Sequence, residues 1–579
     1  MKKSLTLFFC LFFADTLAQH VPTFEEVISL RGVGGVAISP DGNSVAFGIQ
    51  STDWVENRYD NEIWLSRNGE PAFQLTNTSK GNSTNGSFSP DGKWIGLLAS
   101  RGNKNQIHVI RVDGGEARVM TNEEEGISSF VWHPSGKSFV FQRPEKDDPN
   151  KKEREKRYGA FEEDDAEFTV QHLWQVDFNP DLRDPSEMPC YEKTDSLKAK
   201  AGCIEWPKAK RLTEGKFTVN NYGVSPDGTK VAFTQQPDPL INSSVKADIS
   251  ILDLASKSIT KVVTNPSSDF FQDWSPDSKE IIFTTKGSDT LSHFYTNTKA
   301  YALNLASKTS RQLAKTLDED LGGLTWRPTG VFCTVQARTN RVMYRIDPVT
   351  GNHTVVNGLP DQVGQLSFTP TGDKFAMTGR GGEQLSEIFV STTSNPSPKR
   401  ITDMTSQMKG WSVATSEVIS WKSKDGALIE GVLHKPANYD PSKKYPLLVV
   451  IHGGPTGVDT PSPIPGSVYP IVQWLDKGSL VLRVNYRGSA GYGEAIRSLN
   501  VRNLGVGDAW DVLSGVDFLD SKKMIDRTRM GCMGWSQGGY ISAFLTTNST
   551  VFKAISVGAG ISNWMTYYVN TDIHPFTRQ

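Results

Sequence analysis

A chain of 579 residues exceeds what one hydrophobic core serves, so two or more domains are expected. At 37% hydrophobic and 22% charged residues, its composition is that of an ordinary soluble globular protein. A formal net charge of −2 provides no global basic surface and argues against nucleic acid as a partner.

The chain opens with Lys2-Lys3, an apolar stretch from Leu5 to Ala14, and small residues at Thr16 and Ala18. The apolar stretch is about half the ~20 residues a membrane helix needs, so residues 1–18 read as a cleaved export signal. Phe8 and Phe9 before Cys10 are too bulky for a lipoprotein site. No later segment reaches membrane-span length, so a soluble periplasmic or secreted protein with no membrane contact is expected. Export permits disulfides. Cys190 and Cys203 flank a short polar segment and are compatible with either a bridge or two free thiols, whereas Cys532 lies in an apolar strand and reads as a core thiol. No cysteine or histidine spacing resembles a zinc site; no metal or other cofactor is expected.

From residue 39 a turn recurs: Ser39-Pro40-Asp41-Gly42, Ser89-Pro90-Asp91-Gly92, His133-Pro134-Ser135-Gly136, Ser225-Pro226-Asp227-Gly228, Ser275-Pro276-Asp277-Ser278, Arg327-Pro328-Thr329-Gly330 and Thr369-Pro370-Thr371-Gly372. Most spacings are about 40 to 52 residues, the period of a four-stranded propeller blade. Proline presets φ, and the following Asp-Gly or Ser-Gly accepts the geometry that reverses the chain. A short apolar strand such as "SVAFGI" or "WIGLLA" follows each turn, then a second such as "EIWLS" or "HLWQVDF". One blade cannot bury both its faces, so the copies must stack around an axis, and seven turns predict seven blades over residues 19–408.

The interval from Pro134 to Pro226 is about twice the usual one and holds a charged insertion near 144–171. It reads either as one blade whose second strand is delayed or as a pair of blades with one turn lost. A solvated loop is the plain reading of such charge. Tyr158, Phe161 and Phe168 punctuate it, however, which suits a short helix or arm over the propeller mouth. Glu162 and Glu163 on such an arm would hold the free α-amino group of a substrate by charge; as solvated loop residues they would do nothing.

The texture changes after about residue 408. "YPLLVVIHGG" is apolar on both faces, as a central covered strand requires. "GSLVLRVNYRGSAGYG" is a second strand with a glycine-rich exit. "DAWDVLSGVDFLDSK" places Trp510, Leu513, Val516 and Leu519 at helical spacing. "RMGCMGW" is a third strand, "QGGYISAFLTT" a helix and "FKAISVGAGIS" a fourth strand. This alternation predicts an α/β unit with a parallel sheet over residues 409–579. Between strand and helix stands Gly534-Trp535-Ser536-Gln537-Gly538, a G-x-S-x-G match. Chance alone gives about one such match in three chains of this composition, so the strand–turn–helix context carries the assignment. The turn presents the Ser536 hydroxyl as a nucleophile and aims the Gln537 N–H into the same space. The loop His452-Gly453-Gly454-Pro455 is placed to expose further amide donors at Gly453 and Gly454, with His452 shaping that loop.

The repeated turns, "HGGP", "NYRGSAGYG" and "GWSQGGY" together resemble the prolyl oligopeptidase family of serine peptidases, most of all its acylaminoacyl and dipeptidyl peptidase branch. The resemblance covers nearly the whole chain after residue 18. It implies a propeller lid over an α/β-hydrolase unit and an exopeptidase of short peptides, with Ser536 as nucleophile and Gln537, Gly453 and Gly454 as the oxyanion region. Tyr492 is implied to shape the domain without chemistry. Family members carry the catalytic Asp roughly eighty residues past the serine and the His about thirty further, whereas 43 residues follow Ser536 here. Asp572 and His574, two residues apart, cannot easily meet at one imidazole edge. The expectation is a catalytic unit without its C-terminal part, inactive as given. Esterase activity and a non-catalytic propeller protein with a hydrolase remnant are the alternatives, and both monomer and oligomer are compatible with the sequence.

Overall fold

The computed structural model describes residues 19–573 apart from 79, 102–103, 147–148, 161–167, 183–205, 288–292 and 467–468. The export segment 1–18, Glu162, Glu163, Cys190, Cys203 and His574 therefore lie outside the described residues.

From Gly32 to Arg400 the chain repeats a unit of four antiparallel strands in sequential order. The first comprises Gly32–Ile38, Ser44–Asp53, Arg58–Arg67 and Phe73–Gln74. Later units follow the same order, the last two joined into one eight-stranded sheet by a parallel bridge between Arg341 and Gln362. In four units the recurring turn closes the first hairpin by a fixed set of bonds. Ser39 Oγ donates to the Asp41 carboxylate (2.5 Å) and accepts the Ser44 N–H (2.9 Å), while Gly42 takes φ 72°. Ser89, Ser225 and Ser275 repeat these bonds, and Ser278 takes the left-handed position of the missing glycine at φ 62°.

A second repeat escaped the sequence reading. Thr76, Thr121, Thr213 and Thr402 each accept, through the hydroxyl, the N–H of Ile63, Ile107, Leu173 and Ile388 on the third strand of their own unit, at 2.9 to 3.0 Å. In the last unit the Thr402 hydroxyl donates to the fully buried Glu387, which also accepts from the Met404 N–H, the Thr405 N–H and the Thr405 hydroxyl. Glu387→Ala strands four donors in a dry place, and should cost about 3 kcal/mol of stability, read as a lowered urea midpoint. An unchanged midpoint would deny Glu387 this role.

Among the described residues the doubled interval holds one sheet. Ser138–Pro144 pairs directly with Gln171–Asp177, which pairs with Lys210–Arg211. The described part of the excursion between the first two strands forms a helix, Pro149–Tyr158, with Tyr158 exposed at its end.

The α/β unit begins with a hairpin, β1 (Thr415–Lys422) and β2 (Leu428–Lys435), over the Lys424-Asp425-Gly426 turn. There follow β3 (Tyr445–Ile451), α1 (Ile471–Asp476), β4 (Leu480–Asn485), α2 (Gly493–Arg497), α3 (Gly507–Ser521), β5 (Ile525–Trp535), α4 (Gln537–Asn548), β6 (Ala554–Gly558) and α5 (Trp564–Asn570). The sheet order is β1-β2-β4-β3-β5-β6, parallel from β4 to β6. In β3, Leu447, Val449 and Ile451 pack with α3 and α4, whereas Leu448 and Val450 pack with α1, which is why that strand is apolar throughout.

The inward face of α3 is not the one its periodicity suggests. Val516 and Leu519 are buried, but Trp510 and Leu513 are half-buried, and Ala509, Val512, Asp508 and Asp511 turn inward. The cause is Arg487, buried in the unit and ion-paired with Asp511 and Asp425 at 2.8 Å each. A core-facing carboxylate meets that cation, and Trp510 lies over the guanidinium at 5.8 Å from the ring centre.

Polar contacts join the two units. Arg497 of α2 bonds Asn297 (2.9 Å) and pairs with Asp320, the Gly493 N–H reaches Glu319 (3.0 Å), and the Glu494 N–H reaches Asp318 (3.0 Å). Burial pushes the Glu319 carboxyl up to about 7 and the Lys286 ammonium down to about 8 beside this cluster. Among the described residues, no helix is long and apolar enough to cross a membrane, and no group of three His, Cys, Asp or Glu could hold a metal ion.

Candidate active site

Ser536 stands alone between β5 and α4, at φ 55° and ψ −117°. A non-glycine residue in that region carries on the order of 1–3 kcal/mol of strain and persists only where its surroundings dictate it. Here they do. The Ser536 N–H donates to the Gly558 carbonyl (3.0 Å), and its own carbonyl accepts the Tyr540 N–H (2.9 Å).

Three glycines permit the turn. A Cβ on Gly534 would stand 2.2 Å from the Gly538 carbonyl oxygen, one on Gly538 2.0 Å from that of Ile451, and one on Gly539 2.4 Å from that of Gly558. Helix α4 therefore begins in backbone contact with β3 and β6, and the Ser536 side chain is left exposed. Its first-turn N–H groups, Gln537 included, have no partner within the helix and favour negative charge beside the serine.

The glycine loop lies where the sequence places it. A Cβ on Gly453 would fall 3.1 Å from the Ser536 Cβ and 2.8 Å from the Trp535 carbonyl oxygen, so Gly453 faces the nucleophile across the turn. Gly454, at φ 130°, folds the loop back on Thr456 and Gly457. His452 braces this loop. Its ring nitrogens lie 2.9 Å from the Gly453 carbonyl and 3.1 Å from Ser489 Oγ, and its ring stacks on Tyr486 at 4.4 Å. Burial holds the imidazole below its ordinary pKa, so it stays neutral at pH 7. Among the described residues, no side chain hydrogen-bonds the Ser536 hydroxyl. Asp572 is exposed beyond α5. Tyr492 accepts a bond from Asn485 Nδ2 (3.1 Å) beneath Arg338, at the junction of the units.

Asp508 is the site residue that the sequence reading missed. Fully buried on α3, it accepts the Gln537 side-chain amide (3.1 Å) and the Ala509 N–H (2.8 Å), tying the start of α4 to α3. Burial, aided by the nearby Asp511, pushes its carboxyl up to about 7. The folded protein thus keeps this proton up to about pH 7, whereas an unfolded aspartate releases it near 4. The Asp508 contribution to stability should decline as pH rises from about 4 to about 7 and level off above. Asp508→Asn should remove that share of the slope and stabilise the protein at pH 8 by a few kcal/mol on the order of the shift, since the Gln537 amide can rotate to present its unpartnered oxygen. Melting temperatures of both proteins from pH 4 to 8 check this. Parallel curves would contradict it.

Residues 467–579 match the family description "Prolyl oligopeptidase family". An uncharacterized peptidase, YuxL, of Bacillus subtilis strain 168 is 24% identical across 96% of this chain and 84% of its own length. A dipeptidyl-peptidase 5 of Porphyromonas gingivalis is 22% identical across 96% and 81%. Human dipeptidyl peptidase 8 is 32% identical over 26% of this chain and 17% of its own. Among solved structures, Pyrococcus horikoshii acylaminoacyl peptidase aligns with TM-score 0.72 at 19% identity, covering 96% of this chain and 81% of its own. A puromycin hydrolase aligns with TM-score 0.69 at 15%, covering 97% and 83%. At these identities the structural likeness speaks to fold, and it is that of a propeller followed by an α/β-hydrolase unit.

Proposed function

We propose that this chain is a serine exopeptidase of short peptides, acting from Ser536 beneath a seven-bladed propeller, on the strength of the match of residues 467–579 to the prolyl oligopeptidase family and of relatives that are peptidases. The observation that carries this reading is the strained Ser536 turn with Gly453 set against it. In the proposed reaction the Ser536 hydroxyl attacks the scissile carbonyl. Backbone N–H groups at Gln537 and in the Gly453–Gly454 loop receive the oxyanion, and an imidazole with its orienting carboxylate carries the proton. Neither of the last two groups reaches Ser536 among the described residues, so both are proposed to lie outside them.

The test is kinetic. Expressed in full, the protein should cleave alanyl-alanyl and acetyl-alanyl p-nitroanilides, and Ser536→Ala should show only residual rates. Robust turnover by residues 19–579 that vanishes in Ser536→Ala and survives His574→Ala would overturn the account of the proton carrier. That no side chain among the described residues bonds the Ser536 hydroxyl favours a second reading, a non-catalytic propeller protein, which gains if no expressed form hydrolyses either substrate. Hydrolysis of p-nitrophenyl acetate alone would point to an esterase. Export belongs to the same proposal, with a mature N-terminus at Gln19 that N-terminal sequencing checks.

A further inference from the structure

Between the strand Lys374–Arg380 of the last repeat unit and the loop beyond Gly453 lies a cavity of about 380 Å³, lined by Arg380, Gln384, Asp459, Thr460, Ser462 and Arg483 among others. Two guanidinium groups enter it from opposite units. Arg380 bonds Thr460 Oγ1 (2.7 Å) and the Pro461 carbonyl, and Arg483 of β4 pairs with Asp459. Burial, and next the charge of Arg483, holds Arg380 below its ordinary pKa, and Asp361, which opposes this, is exposed to solvent. Asp459 is thus the carboxylate that lines the cavity against two cations.

The polar inventory is also unbalanced. Among the described residues, Asp459 Oδ2, Arg483 Nε and Tyr469 Oη are buried with no hydrogen-bond partner, as are both ring nitrogens of His434. His434 is neutral, pushed down to about 3 by burial and Arg483, and cannot balance the cations. Orphaned buried donors beside uncompensated positive charge suit an anion that fits the space, and a guanidinium recognises a carboxylate best. An orphaned carboxylate oxygen next to them asks for one N–H donor. The C-terminal end of a peptide carries both, a carboxylate and an amide N–H within the same residue.

We propose that this cavity binds a carboxylate between Arg380 and Arg483, and that its source is the C-terminal end of a short peptide whose last N–H donates to Asp459 Oδ2. The loop that holds Gly453 against Ser536 continues into the cavity wall. The choice of a peptide as source rests on the peptidase reading; binding itself does not require Ser536.

Calorimetric titration of residues 19–579 with N-acetylglycylglycine, its C-terminal amide and acetate at pH 7 tests it. The free acid should bind at least about tenfold more tightly than the amide. Arg483→Met should weaken the acid about tenfold or more. Asp459→Asn, which keeps an acceptor but removes the competing charge, should tighten it several-fold and stays informative where Arg483→Met misfolds. Ser536→Ala should leave binding unchanged, which separates this site from the fate of the nucleophile. Equal affinity for acid and amide, no saturable binding of the acid, or no gain in Asp459→Asn would overturn the site. Acetate binding as tightly as the peptide acid would overturn the peptide as its source.

Discussion

Ser536→Ala, in the protein expressed to the natural end of its reading frame, is expected to lower kcat for a dipeptide p-nitroanilide by about 10⁴- to 10⁶-fold while KM moves less than about threefold. The size follows from what the side chain does. Without the hydroxyl no acyl-enzyme forms, and only direct attack by water within an oxyanion-stabilising site remains. The near-constant KM follows from the exposure of Ser536 and from the backbone bonds that define the turn, made by its N–H and carbonyl and kept by alanine. The substitution should even relieve nothing of the strain, since φ 55° is as unfavourable for alanine as for serine. A variant that retains more than about a tenth of the activity would exclude Ser536 as nucleophile.

Gly538→Ala is expected to abolish the folded α/β unit rather than merely slow it. The added Cβ would lie 2.0 Å from the Ile451 carbonyl oxygen and 2.7 Å from that of His452. Both belong to backbone at the end of β3, the strand at the centre of the sheet, and no side-chain rotation relieves them. Helix α4 would have to withdraw from β3, taking the Ser536 turn and the Gln537–Asp508 bond with it. A clash of this kind exceeds the roughly 1–3 kcal/mol of ordinary overpacking, so loss of more than about 4 kcal/mol, or of soluble protein, is the expected outcome. Gly531→Ala supplies the control. Its Cβ would meet the Ala554 carbonyl oxygen at 3.5 Å and Leu448 Cδ1 at 3.6 Å, ordinary contacts, so that variant should fold. Equal stability of the two variants would refute the steric account.

Legibility tracked how local the determinant was. The Ser-Pro-Asp-Gly turns close bonds within five residues, so their chemistry stands in the sequence, and the strands after them follow from apolar runs. The Ser536 turn and the Gly453 loop were legible for the same reason: glycines at fixed offsets mark backbone that must approach backbone. What escaped was set by partners far along the chain. Thr402 and Glu387 are an unremarked threonine and glutamate until a sheet brings them together. The inward carboxylate of α3 was not legible because its partner Arg487 comes from another loop. Arg380 and Arg483 stand 103 positions apart and share a cavity only because two units meet.

The central claim is that the Ser536 turn makes this one hydroxyl reactive. Fluorophosphonate treatment of the protein expressed to the natural end of its reading frame, followed by peptide mapping by mass spectrometry, tests it most directly. The account predicts a single adduct on Ser536, absent after heat denaturation and absent in Ser536→Ala. An adduct on another residue, or equal labelling of Ser536→Ala, would contradict it.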